Sequence, residues 1–283
     1  MNQTGKPFTQ DQARGMLIGL AVGDALGTTL EFKPRGTYEP VTTITGGGPF
    51  SLKPGQWTDD TSMAMCLAQM LRSANGWDPE DAMKRFVNWR RHGYLSSTGV
   101  CFDIGNQTAE ALDLFEKTRN PYCGSTDEAK SGNGGIMRLA PVVLAYGAEV
   151  DSAMAVAQMQ SRLTHASPTC LKAAASMARF MVTGDTSLLP RPDAPPEVAS
   201  GYVVHTLHAA FWALTQGDTF RDVLLAAVNL GGDADTVGAV AGQLAGRIYG
   251  YEGIPEEWRA VLYDHDKILT AADDLYVLRP IDV

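Results

Sequence analysis

The sequence predicts an all-α fold. Apolar residues recur at three and four positions along most of the chain, alternating runs are nearly absent, and two segments place glycine at every fourth residue. The first of those segments carries Gly15, Gly19, Gly23 and Gly27. A glycine inside a helix costs roughly 1 kcal/mol against alanine, so such a ridge is tolerable where another helix backbone packs closely on it. Membrane helices share this spacing, but these segments are too short and interrupted for a span of ~18–20 apolar residues. Next along the chain, Val41–Thr45 is the only candidate strand, ahead of a turn at Gly46, Gly47 and Gly48. After Thr61, the residues Met63, Cys66, Leu67, Met70 and Leu71 line one helix face. Ala-rich segments at 151–163, 171–182 and 202–215 read as helices, with a proline-rich surface loop, Gly184–Gly201, between the last two. Val223, Leu224, Ala227 and Val228 form a further stripe. The last stripe, Val237, Val240, Ala241, Leu244 and Ile248, runs along the second glycine series, Gly238, Gly242 and Gly246. No internal repeat is evident, and residues 1–283 are expected to form a single domain.

Composition narrows the function. With 23 basic and 32 acidic residues the chain carries a net charge of −9, which disfavours nucleic acid and anionic membrane as partners, since both reward a surplus of Lys and Arg. The apolar share of 45% and the charged share of 19% exclude a disordered acidic chain. Cys66, Cys101, Cys123 and Cys170 are scattered, with no CxxC pair and no histidine at zinc-ligand spacing, and read as free thiols of a reducing compartment. The polar N-terminus has no signal-peptide pattern. A cytoplasmic protein is expected.

Two acidic clusters stand out. Thr58-Asp59-Asp60-Thr61 and Gly232-Asp233-Ala234-Asp235-Thr236 each open an amphipathic helix. Helix capping accounts for an Asp or Thr at such a place. Paired acids at two helix starts, with no Lys or Arg close by, equally fit hard divalent cations, which take carboxylate and hydroxyl oxygens, and four carboxylates in two pairs suit a two-metal site. From the residues alone both readings stand. Asp233-Ala234-Asp235-Thr236 also matches the start of a phosphatase DxDxT motif, but that motif follows a buried strand early in an α/β domain, whereas here it opens a late helix. Walker-type and dinucleotide-fold glycine motifs are missing. His205 and His208, three apart without a carboxylate beside them, read as structural, and Trp57 as a packing anchor.

In chain order, Gly19-Leu20-Ala21-Val22-Gly23-Asp24-Ala25-Leu26-Gly27 with Glu31-Phe32, then Thr58–Thr61, Gly132-Asn133-Gly134-Gly135, Leu163-Thr164-His165-Ala166-Ser167 and Gly232–Thr236 resemble the ADP-ribosylglycohydrolases. The matches run from about residue 13 to 250. What this resemblance implies is a compact orthogonal bundle of helices with two divalent cations, Mg²⁺ or Mn²⁺, in a central cleft. Thr58, Asp59, Asp60, Asp233, Asp235 and Thr236 fall on the family's metal ligands. Glu31 falls on the family's acid beside the metals, which is ligand or catalytic depending on the member, and Asp103 on an acid that arginine-specific members place by the scissile bond. Both are read as catalytic, with roles that could be exchanged. Gly105, Asn106, Gly132, Asn133, Gly134 and His165 fall on the substrate-binding segments, and Tyr202 on a tyrosine near the adenine. The implied activity is removal of ADP-ribose from protein side chains, foremost from arginine, by a monomer that releases ADP-ribose. O-linked ADP-ribose on serine or in O-acetyl-ADP-ribose is the alternative, as is a non-catalytic binding or structural role on the same fold. Retention of all four aspartates with Glu31 and Asp103 favours an enzyme.

Overall fold

A computed structural model describes residues 5–281. Thirteen α-helices make up this part of the chain: α1 (Gln10–Gly27), α2 (Asp59–Ala74), α3 (Pro79–His92), α4 (Asn106–Thr118), α5 (Gly134–Met137), α6 (Ala140–Tyr146) and α7 (Val150–Arg162), followed by α8 (Pro168–Thr183), α9 (Val203–Ala213), α10 (Phe220–Val228), α11 (Ala234–Tyr249), α12 (Glu256–Val261) and α13 (His265–Val277). The all-α prediction holds, and the described residues contain only isolated bridges in place of sheet. No helix among them is long and apolar enough to cross a membrane.

The glycine ridges explain the architecture. Helix α1 starts at a capping box, in which Thr9 Oγ1 accepts from Gln12 N at 3.1 Å and Gln12 Oε1 accepts from Thr9 N at 3.0 Å. From Gly15 onward α1 is buried and lies antiparallel against α11. Gly15 meets Gly246, Gly19 meets Gly242, Gly23 meets Gly238, and Gly27 meets Ala234. A β-carbon on Gly23 would sit 2.0 Å from the Gly238 carbonyl oxygen, and one on Gly242 would sit 2.0 Å from that of Gly19. The two ridges are thus one interface read from both sides. Close backbone approach, with side chains packing around it in a continuous core, offsets the helix propensity that the glycines forgo.

The segment Val41–Thr45 is not a strand, which corrects the prediction. Val41 has its backbone pairs satisfied by one side chain instead of a ladder: Val41 N donates to Asn229 Oδ1 at 2.9 Å, and Asn229 Nδ2 donates to Val41 O at 3.0 Å. Ile44 plugs into the core from this irregular stretch. The turn at Gly46–Gly48 is present, closed by reciprocal bonds between Gly47 and Leu52 at 2.8 and 3.0 Å. The proline-rich segment is irregular apart from a 3₁₀ turn at Thr186–Leu188. It is more than a surface loop, because its end, Ala199–Gly201, lines a cavity together with residues just after α1 and at the start of α11.

Candidate active site

The end of the α1–α11 pair is where the acids meet. Asp24, in the last turn of α1, is fully buried and reaches the start of α2. Its Oδ1 accepts from Thr58 N at 2.9 Å and Thr58 Oγ1 at 3.0 Å, and its Oδ2 from Thr61 N at 3.0 Å and Thr61 Oγ1 at 2.6 Å. Four donors on one carboxylate fix the first turn of α2, and with it Asp59 and Asp60. Just beyond α1, Glu31 Oε2 accepts from Ala234 N at 2.8 Å and so caps the N-terminus of α11 from a distant part of the chain. Phe32 N donates to Gly232 O at 2.7 Å, and Asp233 N donates to Ala199 O at 3.0 Å. Gly232 has φ +69, and a β-carbon there would lie 2.0 Å from Ala199 O. Only glycine permits both that turn and that approach. Asn133 Nδ2 holds Asp233 Oδ2 at 2.6 Å. Thr236 Oγ1 and Thr58 Oγ1 lie 3.3 and 3.4 Å from Asp60 Oδ2, so the two acidic clusters close on each other.

Carboxylates this close repel. Ligand oxygens of Glu31, Asp233 and Asp235 all lie within 4.8 Å of one another. Burial, then the charge of Asp235, pushes Asp233 up to about 7. Burial and the neighbouring aspartates also raise Asp59 and Asp60 well above the ordinary carboxylate range. The Asp103 carboxyl is pushed up to about 11 by burial, then by Asp235 and Asp59. Asp60 Oδ1 and Asp235 Oδ2 are buried without a hydrogen-bond partner. Orphaned acceptors among crowded acids, with hydroxyl oxygens beside them, are a donor set suited to hard divalent cations.

The sequence profile of the ADP-ribosylglycohydrolases matches residues 6–281. The chain belongs to the ADP-ribosylglycohydrolase family. It is 39% identical to the ADP-ribosylarginine hydrolase Tri1 of Serratia proteamaculans, over 95% of this chain and 80% of that one. It is 34% identical to the ADP-ribosyl-[dinitrogen reductase] glycohydrolase of Rhodospirillum rubrum, over 90% of this chain and 92% of that one. A solved structure described as an ADP-ribosylglycohydrolase-related protein complex superposes with a TM-score of 0.80 at 39% identity, covering 95% of this chain and 98% of that chain.

Most of the residues singled out in the sequence line one cavity of about 690 Å³ in this ADP-ribosylglycohydrolase. Glu31, Asp59, Asp103, Asp233, Asp235 and Thr236 form its acidic side. Gly105, Asn106, Gly132, Asn133, Gly134 and His165 line it as well, with Ala199, Ser200 and Gly201. Thr58 and Asp60 are buried beside it, linked to the wall through Thr236. Tyr202 does not line the cavity; its ring is 41% exposed and packs edge-on against His205. His205 and His208 hold the proline-rich segment, through Ser200 Oγ at 2.9 Å and Ala194 O at 3.1 Å, as a structural role requires. Trp57 is a buried anchor whose Nε1 donates to Tyr263 O at 3.1 Å.

Sequence reasoning gave no role to Asp24, whose carboxylate organises the start of α2. It also missed an aromatic rim. Phe32 follows Glu31 and Phe102 precedes Asp103, and both rings contact Phe50, with centroids 6.3 and 5.1 Å away. Phe32 is 65% exposed, and both Phe32 and Asp103 adopt left-handed backbone, with φ +62 and +59. Uncommon conformations of this kind gather where side chains must be aimed.

The acid cluster makes stability depend on pH in a definite direction. Unfolded aspartates titrate near ~3.9, and the folded values lie above that. The folded chain then binds more protons, so this contribution is fully present below ~3.9 and is lost as pH rises toward and through the folded values. After chelation the protein is expected to melt lower at pH 8 than at pH 6, and added Mg²⁺ or Mn²⁺ to raise its Tm more at pH 8. Differential scanning calorimetry with and without chelator checks this; a Tm indifferent to pH and to cation would contradict it.

Proposed function

We propose that the chain is an ADP-ribosylarginine hydrolase, cleaving the N-glycosidic bond between ADP-ribose and an arginine side chain with two divalent cations, Mg²⁺ or Mn²⁺. The observation that carries this reading is the meeting, in one cavity, of an acidic cluster with a wall that carries Gly105, Gly132, Gly134 and Gly201 and no Lys or Arg. An acidic protein that must hold a diphosphate needs donors without net charge. The backbone amide of Gly134 and the amides of the first turn of α4, from Asn106, suit that task, whereas Gly132 N and Asn133 N already donate to Lys130 O and Gly201 O. Tyr202 stands one residue beyond Gly201, where an adenine leaving the cavity would meet its exposed ring.

Asp59, Asp60, Asp233 and Asp235 would hold the cations, with Thr58 and Thr236 supplying hydroxyl oxygens. When bound, the cations would supply electrostatic grip on the ribose hydroxyls and lower the pKa of a water nearby. In the reaction the bond from the anomeric carbon to the guanidine nitrogen breaks, the nitrogen gains a proton, and water adds its hydroxyl to the carbon. Asp103 would deliver the proton to the leaving guanidine. Glu31, pinned by the α11 amides, would orient the incoming water and take its proton. The reverse assignment of these two acids uses the same geometry. The aromatic rim favours arginine over an O-linked substrate, because a guanidinium stacks on aromatic faces and a serine side chain has nothing to stack.

The test is release of ADP-ribose from proteins modified separately at arginine and at serine. The expected result is cation-dependent release from arginine with at least tenfold slower release from serine, one aromatic contact pair being worth roughly 1–2 kcal/mol. Asp103→Asn is expected to lower kcat by 10²–10⁴, the usual range for losing a general acid, with KM little changed. Failure to remove the arginine-linked mark would sink the reading.

A further inference from the structure

Behind the glycine wall lies a chain of side chains that the steps above do not use. Arg138 directly follows α5, fully buried, and among the described residues no carboxylate reaches it at ion-pair distance. Its Nε donates to Gln160 Oε1 at 3.2 Å, its Nη2 to Gln160 O at 3.3 Å and to Thr164 Oγ1 at 2.7 Å, and its guanidinium lies 4.9 Å from the Phe86 ring centroid. Burial lowers its pKa to about 9, which leaves it cationic at neutral pH. Thr164 is fully buried too, and its Oγ1 lies 2.8 Å from His165 Nδ1.

Proton accounting fixes the state of the histidine. Thr164 Oγ1 already accepts from Arg138, and its own proton has no other acceptor within reach among the described residues than His165 Nδ1. A proton on Nδ1 would present a second donor to that oxygen and strand the threonine proton in a dry site, a penalty of about 1–3 kcal/mol. The hydroxyl therefore donates to Nδ1, and the imidazole proton sits on Nε2. That nitrogen has no partner among the described residues, and His165 lines the cavity. Its ring is wedged against the glycine wall: β-carbons on Gly132 and Gly134 would lie 2.8 Å from Nε2 and 2.4 Å from Cε1. Burial, then the charge of Arg138, lowers His165 to about 3, so the ring stays neutral.

We propose that Arg138 and Thr164 are positioning residues that lock His165 as a neutral Nε2–H donor aimed into the cavity, where it binds the diphosphate of ADP-ribose. This rests on the reading of the cavity as the ADP-ribose site. In the other tautomer a lone pair would face the phosphate oxygens and repel them. The arrangement places a buried cation behind a neutral donor, so the anion meets positive potential although no Lys or Arg lines the cavity.

The experiment is long-range ¹H–¹⁵N NMR on ¹⁵N-histidine-labelled holoenzyme, with ADP-ribose as probe and His165→Gln to assign the signal. The expected wild-type spectrum shows Nε2 protonated and Nδ1 bare, with Nε2 shifting on titration of ADP-ribose. Thr164→Val is expected to mix the tautomers and weaken ADP-ribose binding about tenfold, the scale of one lost hydrogen bond, raising KM far more than it lowers kcat. Thr164→Ser should restore both. A wild-type His165 protonated at Nδ1, or a Thr164→Val protein with unchanged tautomer and affinity, would overturn the relay while ADP-ribose still shifts the His165 signal. If ADP-ribose leaves His165 undisturbed, the cavity reading itself fails and the relay falls with it.

Discussion

Gly23→Ala is expected to destabilise the protein by at least ~3 kcal/mol, the upper end of what overpacking usually costs. The added methyl would sit 2.0 Å from the Gly238 carbonyl oxygen and 2.4 Å from its carbon. Both are backbone atoms in the middle of a helix, with no rotamer to escape into. Relief requires the two helices to separate, which opens the packed core along its length. For a chain of this size that corresponds to a fall in Tm of roughly 6–12 °C. Gly105→Ala is the control: nothing lies within 4 Å of a β-carbon there, and its φ of −65 suits alanine. Thermal melts should show Gly23→Ala well below wild type and Gly105→Ala within about 1 kcal/mol of it, the usual cost of putting alanine at an N-cap. Equal melting of all three would mean that the helix contact is looser than the glycines imply.

Asp235→Asn separates stability from activity in opposite directions. Asp235 is the acid whose charge acts on Asp24, Glu31, Asp59, Asp103 and Asp233 alike. Neutralising it removes repulsion from every neighbour, so the chelated variant is expected to melt above chelated wild type. The same change removes a proposed cation ligand, so cations should stabilise the variant far less than wild type. Activity is expected to fall about 10³-fold or more, since each tenfold corresponds to 1.36 kcal/mol and charge stabilisation of this kind is worth several. A variant that keeps both activity and its response to cations would remove Asp235 from the site.

The acids that meet at the cavity were legible as a group because each cluster combines two carboxylates with a helix start, a pattern capping alone does not require. The glycine ridges were legible as an interface but not as a pair facing each other; period alone does not say which helix a ridge meets. Asp24 and Arg138 went unassigned although each leaves a trace in the chain. Asp24 is the only charge between Gly15 and Gly27, and Arg138 the only one between Ser131 and Tyr146. A lone charge amid apolar residues must find partners when the segment is buried. Here Asp24 finds two threonines, and Arg138 finds Gln160 and Thr164. Val41–Thr45 misled because β-branched residues mark extended backbone, and a side-chain amide satisfied Val41 as well as a neighbouring strand would.

The mating of α1 with α11 acts as a vernier for the acids that we propose hold the cations. Helical rise is about 1.5 Å per residue, so a slip of one position would carry Asp233 and Asp235 that far from Glu31 and Asp24. Backbone locked against backbone at four successive levels forbids the slip. The walls that would meet substrate come from elsewhere: the segment before α4, the turn before α5 and the end of the proline-rich loop. Reaction centre and recognition surface therefore take their stiffness from different elements. Substrate range can be altered by exchanges within those three segments that keep Asp103, Asn133 and Ala199, since Asp103 belongs to the proposed reaction centre and Asn133 Nδ2 and Ala199 O hold Asp233.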